Sequence, residues 1–179
     1  MPMDYVKLFH TLQPGFFDSE SIRSLPPEDV FEEQILDLHA FHAEAHDIPC
    51  PERITFGLYE GDIETLRDAV LRVEDDWPEY FHEGDSVFCA FDEGKVVSFC
   101  LLDDFGSFEG LRIGAPGCVG TLPEYRKQGI GLKMVCLATA TLKAMGYDLS
   151  YIHYTHVGHW YARLGYRTCL RWNAGGIIG

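Results

Sequence analysis

Several features are scarce or missing in this chain of 179 residues, and each absence narrows its function. No apolar run approaches the ~20 residues that cross a bilayer. Asp4 and Lys7 interrupt the N-terminus where a signal peptide would be apolar, so the expected address is the cytoplasm. Basic residues are few: 14 Lys and Arg stand against 28 Asp and Glu, a net charge of −14. A nucleic-acid backbone demands a positive footprint, so neither nucleic acid nor a membrane is expected as a partner, whereas a cationic small molecule is compatible. Cys50, Cys89, Cys100, Cys118, Cys136 and Cys169 include no CxxC pair and mostly fall in apolar patterns. They read as small buried hydrophobes of a reducing compartment, not as a disulfide framework. The phosphate signatures GxxxxGK[ST] and GxGxxG are absent as well.

With 46% hydrophobic and 23% charged residues, the composition is that of a packed globular protein. No repeat, low-complexity tract or Pro/Gly linker divides it, and residues 1–179 are expected to form one domain. "SIRS" reads as a short strand. A helix follows through Pro26-Pro27, with Phe31, Ile35, Leu38 and His42 at helical spacing. Asp62 caps a second helix carrying Ile63, Leu66, Val70 and Val73. "DSVFCAF" and "VVSFCLLDD", joined by "DEGK", form an antiparallel hairpin. "LRIGAPGCVGT" is the next strand, and its glycines mark a bulge, a splayed edge or a ligand's close approach. A helix after Gly129 ends near Gly146; strand "DLSYIHYTH", short helix "GHWYARLG" and strand "YRTCLRW" complete a mixed α/β fold around one sheet.

Between the glycine-rich strand and the long helix stands "RKQGIG". A helix N-terminus offers unpaired N–H groups and a positive partial charge, and glycines there let an anion reach the backbone. Taken alone, the hexapeptide is equally an ordinary loop. Its surroundings resemble the GNAT N-acetyltransferase superfamily. The family signature (Q/R)xxGx(G/A) is matched by Arg126-Lys127-Gln128-Gly129-Ile130-Gly131, its lead-in by Val119 through "LPEYR", and its closing Yxxx-G-(F/Y) by Tyr161 to Tyr166. The resemblance covers about 86–172, the expected cofactor-binding core, behind an N-terminal strand and helices at about 16–75.

The resemblance implies a mostly antiparallel sheet flanked by helices and splayed between its fourth and fifth strands, with acetyl-CoA as acyl donor. Backbone groups at Val119 and Thr121 would hold the pantetheine arm. The pyrophosphate would lie on Arg126, Lys127, Gln128, Gly129, Ile130 and Gly131. Tyr161 is the implied catalytic acid for the departing thiolate, although a tyrosine beside Trp160 and Tyr166 also serves as core. Where many members carry Asn, this chain has "YTHVGHW", so Thr155 or His156 takes that cofactor contact. The implied reaction is acetyl transfer to a primary amine, with a small-molecule acceptor preferred over a protein N-terminus or lysine. A non-catalytic acyl-CoA-binding module is the rival of another class, and a homodimer is compatible.

The general base is left open among Asp103, Asp104, Glu109, His153, His156 and a water chain. No metal is expected: His39, His42 and His46 with Glu44 lack HExxH and read as a solvated helix face. His153, His156 and His159 straddle a strand end and need not converge. The acidic stretch "VEDDWPEYFHEGD" is a solvated loop or the mouth that attracts an amine.

Overall fold

The computed structural model describes residues 2–179. Helices α1 (Tyr5–Leu12) and α2 (Glu20–Arg23) precede strands β1 (Phe31–Asp37) and β2 (Ile54–Leu58). Helix α3 (Ile63–Leu71) leads to strands β3 (Val87–Asp92), β4 (Lys95–Phe108) and β5 (Leu111–Thr121). Helix α4 (Ile130–Ala144), strand β6 (Leu149–Thr155), helix α5 (Gly158–Ala162) and strands β7 (Arg167–Asn173) and β8 (Gly176–Ile177) follow. The strands form one sheet in the order β2-β3-β4-β5-β6-β1-β7-β8. Every pairing is antiparallel except β5 with β6. This is the mixed α/β, mostly antiparallel architecture expected from the sequence.

From Asp62 onward the elements fall where the pattern placed them. The Asp62 carboxylate accepts the Thr65 N–H at 2.9 Å, capping α3. The hairpin closes on Glu93 and Gly94, and α4 stops at Met145 with Gly146 next, at φ +90°.

Upstream, the pattern misled. "SIRS" lies at α2, and residues 31–37, read as a helix, form a central strand. Phe31, Ile35, Leu38 and His42 share helical spacing only by coincidence. The decisive property is four consecutive buried residues, Glu33–Leu36, as befits a strand covered on both faces. The segments at 1–15 and 50–58 supply α1 and β2, which no motif announced.

Alternation along β4 separates two cores. Cys100 and Leu102 pack with α4 residues Met134, Val135 and Leu142. Phe99 and Leu101 point the other way, onto Leu66, Val70 and Phe81. On that second face α1 covers the other half of the sheet, where Leu8 packs on Ile35, Ile113 and Tyr151.

The sheet parts at its parallel pair. β5 and β6 are matched only at Ile113–Leu149 and Gly114–Ser150, after which the strands diverge. Opposite β4, residues Cys118 and Val119 face the single residue Cys100, and Cys118 adopts φ +47°. This is a β-bulge, which bends β5 and turns its last residues toward the gap. Two of the strand glycines have packing reasons of their own. A Cβ at Gly114 would lie 2.9 Å from the Tyr147 ring, and one at Gly120 2.6 Å from the Phe99 ring.

Candidate functional site

At the open end of the splay lies a cleft of about 930 Å³. β5 contributes Val119, Gly120 and Thr121, and the following loop and helix start contribute 126–132. α5 and its flanks add Val157, His159, Trp160, Tyr161 and Arg163. Val73, Glu74 and Trp77 after α3, with Ile48 and Pro49, close the remaining sides. The structure thus brings together Val119, Thr121, Tyr161 and all six residues of "RKQGIG". Sequence reasoning missed the walls from 48–49 and 73–77, which lie outside every motif, and Arg163, whose only signal was its place two residues after Tyr161.

The loop is shaped for an anion. Lys127 at φ +61° and Gly129 at φ +81° turn the chain twice before α4. No side chain caps the helix, and no protein acceptor among the described residues takes the N–H of Gly129, Ile130, Gly131 or Leu132. Four free donors at the positive end of a 15-residue helix line the cleft beside exposed Arg126, Lys127 and Arg163. The support beneath is well tied: Arg126 Nε donates to the Thr121 carbonyl at 3.0 Å, and Gln128 Nε2 to the Glu124 carbonyl at 3.3 Å. Tyr125 donates to Asp92 at 2.9 Å, and Arg72 pairs with Glu124 at 2.5 Å.

Tyr161 is 7% exposed and its hydroxyl bonds to no described protein group, although the side chain lines the cleft. Burial, with Cys100 and Tyr166 nearby, raises its phenol above the usual range. It stays protonated and able to donate at any physiological pH. Tyr166 is different: its hydroxyl sits between Thr139 at 2.8 Å and Ser150 at 2.7 Å, tying α4 to β6.

His156 corrects an expectation. It is exposed and faces a small hollow with Asp29, Val30 and Phe31, away from the cleft, because the strand end turns it outward. Thr155 is buried and accepts the Val157 N–H at 3.1 Å. His159 lines the cleft instead. The trio His153, His156 and His159 therefore does not converge. His39, His42 and His46 do not share a helix either: they flank a 3₁₀ turn, where His39 bonds Asp148 at 2.7 Å and His46 stacks on Phe41. Among the described residues, no group of three or more His, Cys, Asp or Glu is arranged to hold a metal.

Of the base candidates, Asp104 accepts the Gly106 N–H at an irregularity within β4, and Glu109 is exposed in the β4–β5 turn. Asp103 differs. It projects on the face away from α4, and a Cβ on Gly117 would come within 2.4 Å of its Oδ2. Burial, with Asp85 nearby, pushes its carboxyl up to about 6. Burial chiefly, then Asp103 and Asp76 nearby, raises the Cys118 thiol, so part of the acidic stretch reaches the bulge. A carboxyl raised on folding stabilises the fold while protonated, and that contribution is lost as pH climbs from the ordinary 3.8 through about 6. Asp103→Asn should therefore stabilise the protein at pH 7.5 by about 1–2 kcal/mol after solvent screening, a Tm gain of about 3–6 °C. The gain should vanish at pH 4; an equal Tm shift at both values would refute the assignment.

Residues 83–168 match the model of the acetyltransferase (GNAT) domain. Solved structures with the same fold include a fungal GCN5-related glucosamine N-acetyltransferase region of a multi-domain β-N-acetylglucosaminidase, at 23% identity and TM-score 0.65, over 80% of this chain and 20% of that one. A GCN5-related N-acetyltransferase from Sphaerobacter thermophilus matches at 17% and 0.60, over 82% and 50%, and one from Kribbella flavida at 18% and 0.57, over 79% and 55%. The chain thus spans about half or less of the length of these relatives. No curated protein matches in sequence. The match covers just under half of the chain and falls on the segment whose motif residues carry the resemblance. No helix among the described residues is long and apolar enough to cross a membrane.

Proposed function

We propose that this GNAT domain transfers an acetyl group from acetyl-CoA to a small primary amine. The observation that carries the reading is the coincidence, in one cleft, of four free helix-start N–H groups, exposed cations and an unpaired tyrosine hydroxyl. In a protein of net charge −14, Arg126, Lys127 and Arg163 gathered at one helix start are a local reversal suited to phosphates. The extended arm of the donor would run along Val119 and Thr121 into the splay, which the bulge at Cys118 holds open. Acetyl transfer then requires a proton for the leaving sulfur, and Tyr161 has one to give. The acidic groups near the far side of the bulge, Asp103 and Asp76, favour a cationic acceptor.

The reading is tested by coenzyme A thiol release with acetyl-CoA and a panel of amines that includes an amino sugar, a polyamine and peptides. Turnover is expected on a small primary amine; turnover on peptides alone, or on none, overturns it. Binding is tested separately. The paired reversal Lys127→Glu with Arg163→Glu should lower acetyl-CoA affinity about 10- to 100-fold, since each reversal at the phosphates costs on the order of 1 kcal/mol or more. Both side chains are exposed, so Tm should hold within about 2 °C. Calorimetry giving the parent's affinity would remove the anion assignment.

A further inference from the structure

Glu33 is a fully buried carboxylate in the middle of the sheet. It accepts His153 Nδ1 at 2.9 and 3.1 Å, the Tyr154 N–H at 3.0 Å and Trp172 Nε1 at 2.8 Å. Both neighbouring strands distort around it. On β6, His153 and Tyr154 occupy the space opposite Glu33, and Tyr154 takes φ +58°; on β7, the register slips between Glu33 and Gln34. Two bulges around one buried charge are poor value for stability, because a buried ion pair seldom gains over an apolar replacement. What the arrangement does achieve is orientation. With Nδ1 fixed on Glu33, the His153 ring has one tautomer and one direction, and Nε2 has no protein partner among the described residues.

The register indicates which margin of the gap His153 borders. β5 and β6 pair at Ile113–Leu149 and Gly114–Ser150; carried three residues on, that register would set Gly117 across the splay from His153. Both lie on the face away from α4, the face of Ala115, Ile113 and Tyr151. Asp103 reaches Gly117 from the other margin. Tyr161, in contrast, belongs to the α4 side. Acid and histidine thus flank the gap from opposite faces, with the acetyl position between them in the reading above. The His153 side chain is 21% exposed, so water and a small amine can reach it.

We propose that His153, oriented by Glu33, is the general base that deprotonates the acceptor amine. The inference rests on the acetyl-transfer reading. His153 Nε2 takes one proton from the bound ammonium. The freed nitrogen lone pair forms the N–C bond while the C–S bond breaks. Sulfur takes the Tyr161 proton, Tyr161 regains one from the same nitrogen, and His153 passes its own to solvent. Protons and electrons balance, and no further reactant is needed. The ring meets Glu33 from β1, Tyr154 beside it on β6, and Phe9 and Phe16 from the N-terminal segment, with His10 next to Phe9; Trp172 and Cys169 of β7 bond to Glu33 rather than to the ring. Glu33 is the one carboxylate bonded to it.

His153→Asn tests this, because the Asn amide can still donate to Glu33 and spare the core an unpaired charge. Acceptor kcat/KM at pH 7 should fall about 100-fold or more, and should then rise about tenfold per pH unit as free amine arrives from solution. Acetyl-CoA affinity by calorimetry should be unchanged. A second measurement covers the case in which the variant does not fold. In Glu33→Gln the carboxylate that orients the ring is gone, so acceptor kcat/KM should fall about tenfold or more while acetyl-CoA affinity holds. A His153→Asn rate within threefold of the parent with the same pH profile, or a Glu33→Gln rate within threefold of the parent, overturns the base assignment while leaving acetyl transfer intact. A parent that releases thiol with no amine overturns the transfer reading and the base with it.

Discussion

Tyr161→Phe is expected to lower kcat about 10²- to 10⁴-fold, the contribution of a positioned general acid and equivalent to about 3–5 kcal/mol at the transition state. The structure makes the substitution unusually clean. Among the described residues the hydroxyl bonds to no protein group, so its removal strands no buried partner there, and the ring keeps its packing on Trp160 at 4.9 Å and Tyr166 at 6.0 Å. Acetyl-CoA affinity and Tm should barely move, because the contact matters only as charge develops on sulfur. Slow product release can mask a chemical defect, so the single-turnover rate is the measurement. A single-turnover rate within a few-fold of the parent would return Tyr161 to the core and leave the acid unassigned.

Gly129→Val is expected to damage the fold as well as the site. From the motif alone, a bulky residue here blocks a pyrophosphate and leaves the fold untouched. The structure corrects that. Gly129 sits at φ +81°, and a Cβ would lie 2.2 Å from the Pro49 carbonyl oxygen, a backbone atom that cannot swing aside. Left-handed strain in a β-branched residue and the steric overlap together should cost roughly 3–5 kcal/mol. In a chain of this length that lowers Tm by about 6–20 °C, with acetyl-CoA binding lost alongside. Thermal unfolding with and without acetyl-CoA checks it; a variant with the parent's Tm would mean that the 48–49 segment does not rest on the loop. The contrast with the Lys127 and Arg163 reversals, which should cost affinity and not stability, separates cradle from scaffold.

How much was readable differs along the chain for a physical reason. From 62 to 173 the local signals agree with the tertiary outcome. A capping Asp62, a Gly94 turn and β-branched runs at 87–102 are short-range determinants that need no distant partner. The loop "RKQGIG" was legible because its chemistry is local too: a helix start and its two neighbouring cations form within six residues. At 31–42 local periodicity pointed to a helix, and only distant strands overrule it. β1 is seated between β6 and β7, more than 110 residues away, and pairing on both sides outweighs a weak local preference.

The site divides the same way. Arg126–Gly131 and Tyr161 were fixed by residues close to them in sequence. His156 was misplaced because the direction of a side chain at a strand end depends on the bulge before it, at Tyr154, whose N–H bonds to Glu33 arriving from β1. Pro49 against Gly129, Trp77 beside the cleft and Glu33 behind His153 are all long-range meetings. By itself, then, the sequence determined the helix start that offers its N–H groups, the tyrosine that faces it and the acidic balance around them. The tertiary structure alone decided which strand fills the middle of the sheet, where the sheet opens and that Glu33 meets His153. Helix starts and turns are set over a few residues by hydrogen bonds and charge, whereas a buried carboxylate acquires its partners only when strands far apart in the chain are brought together.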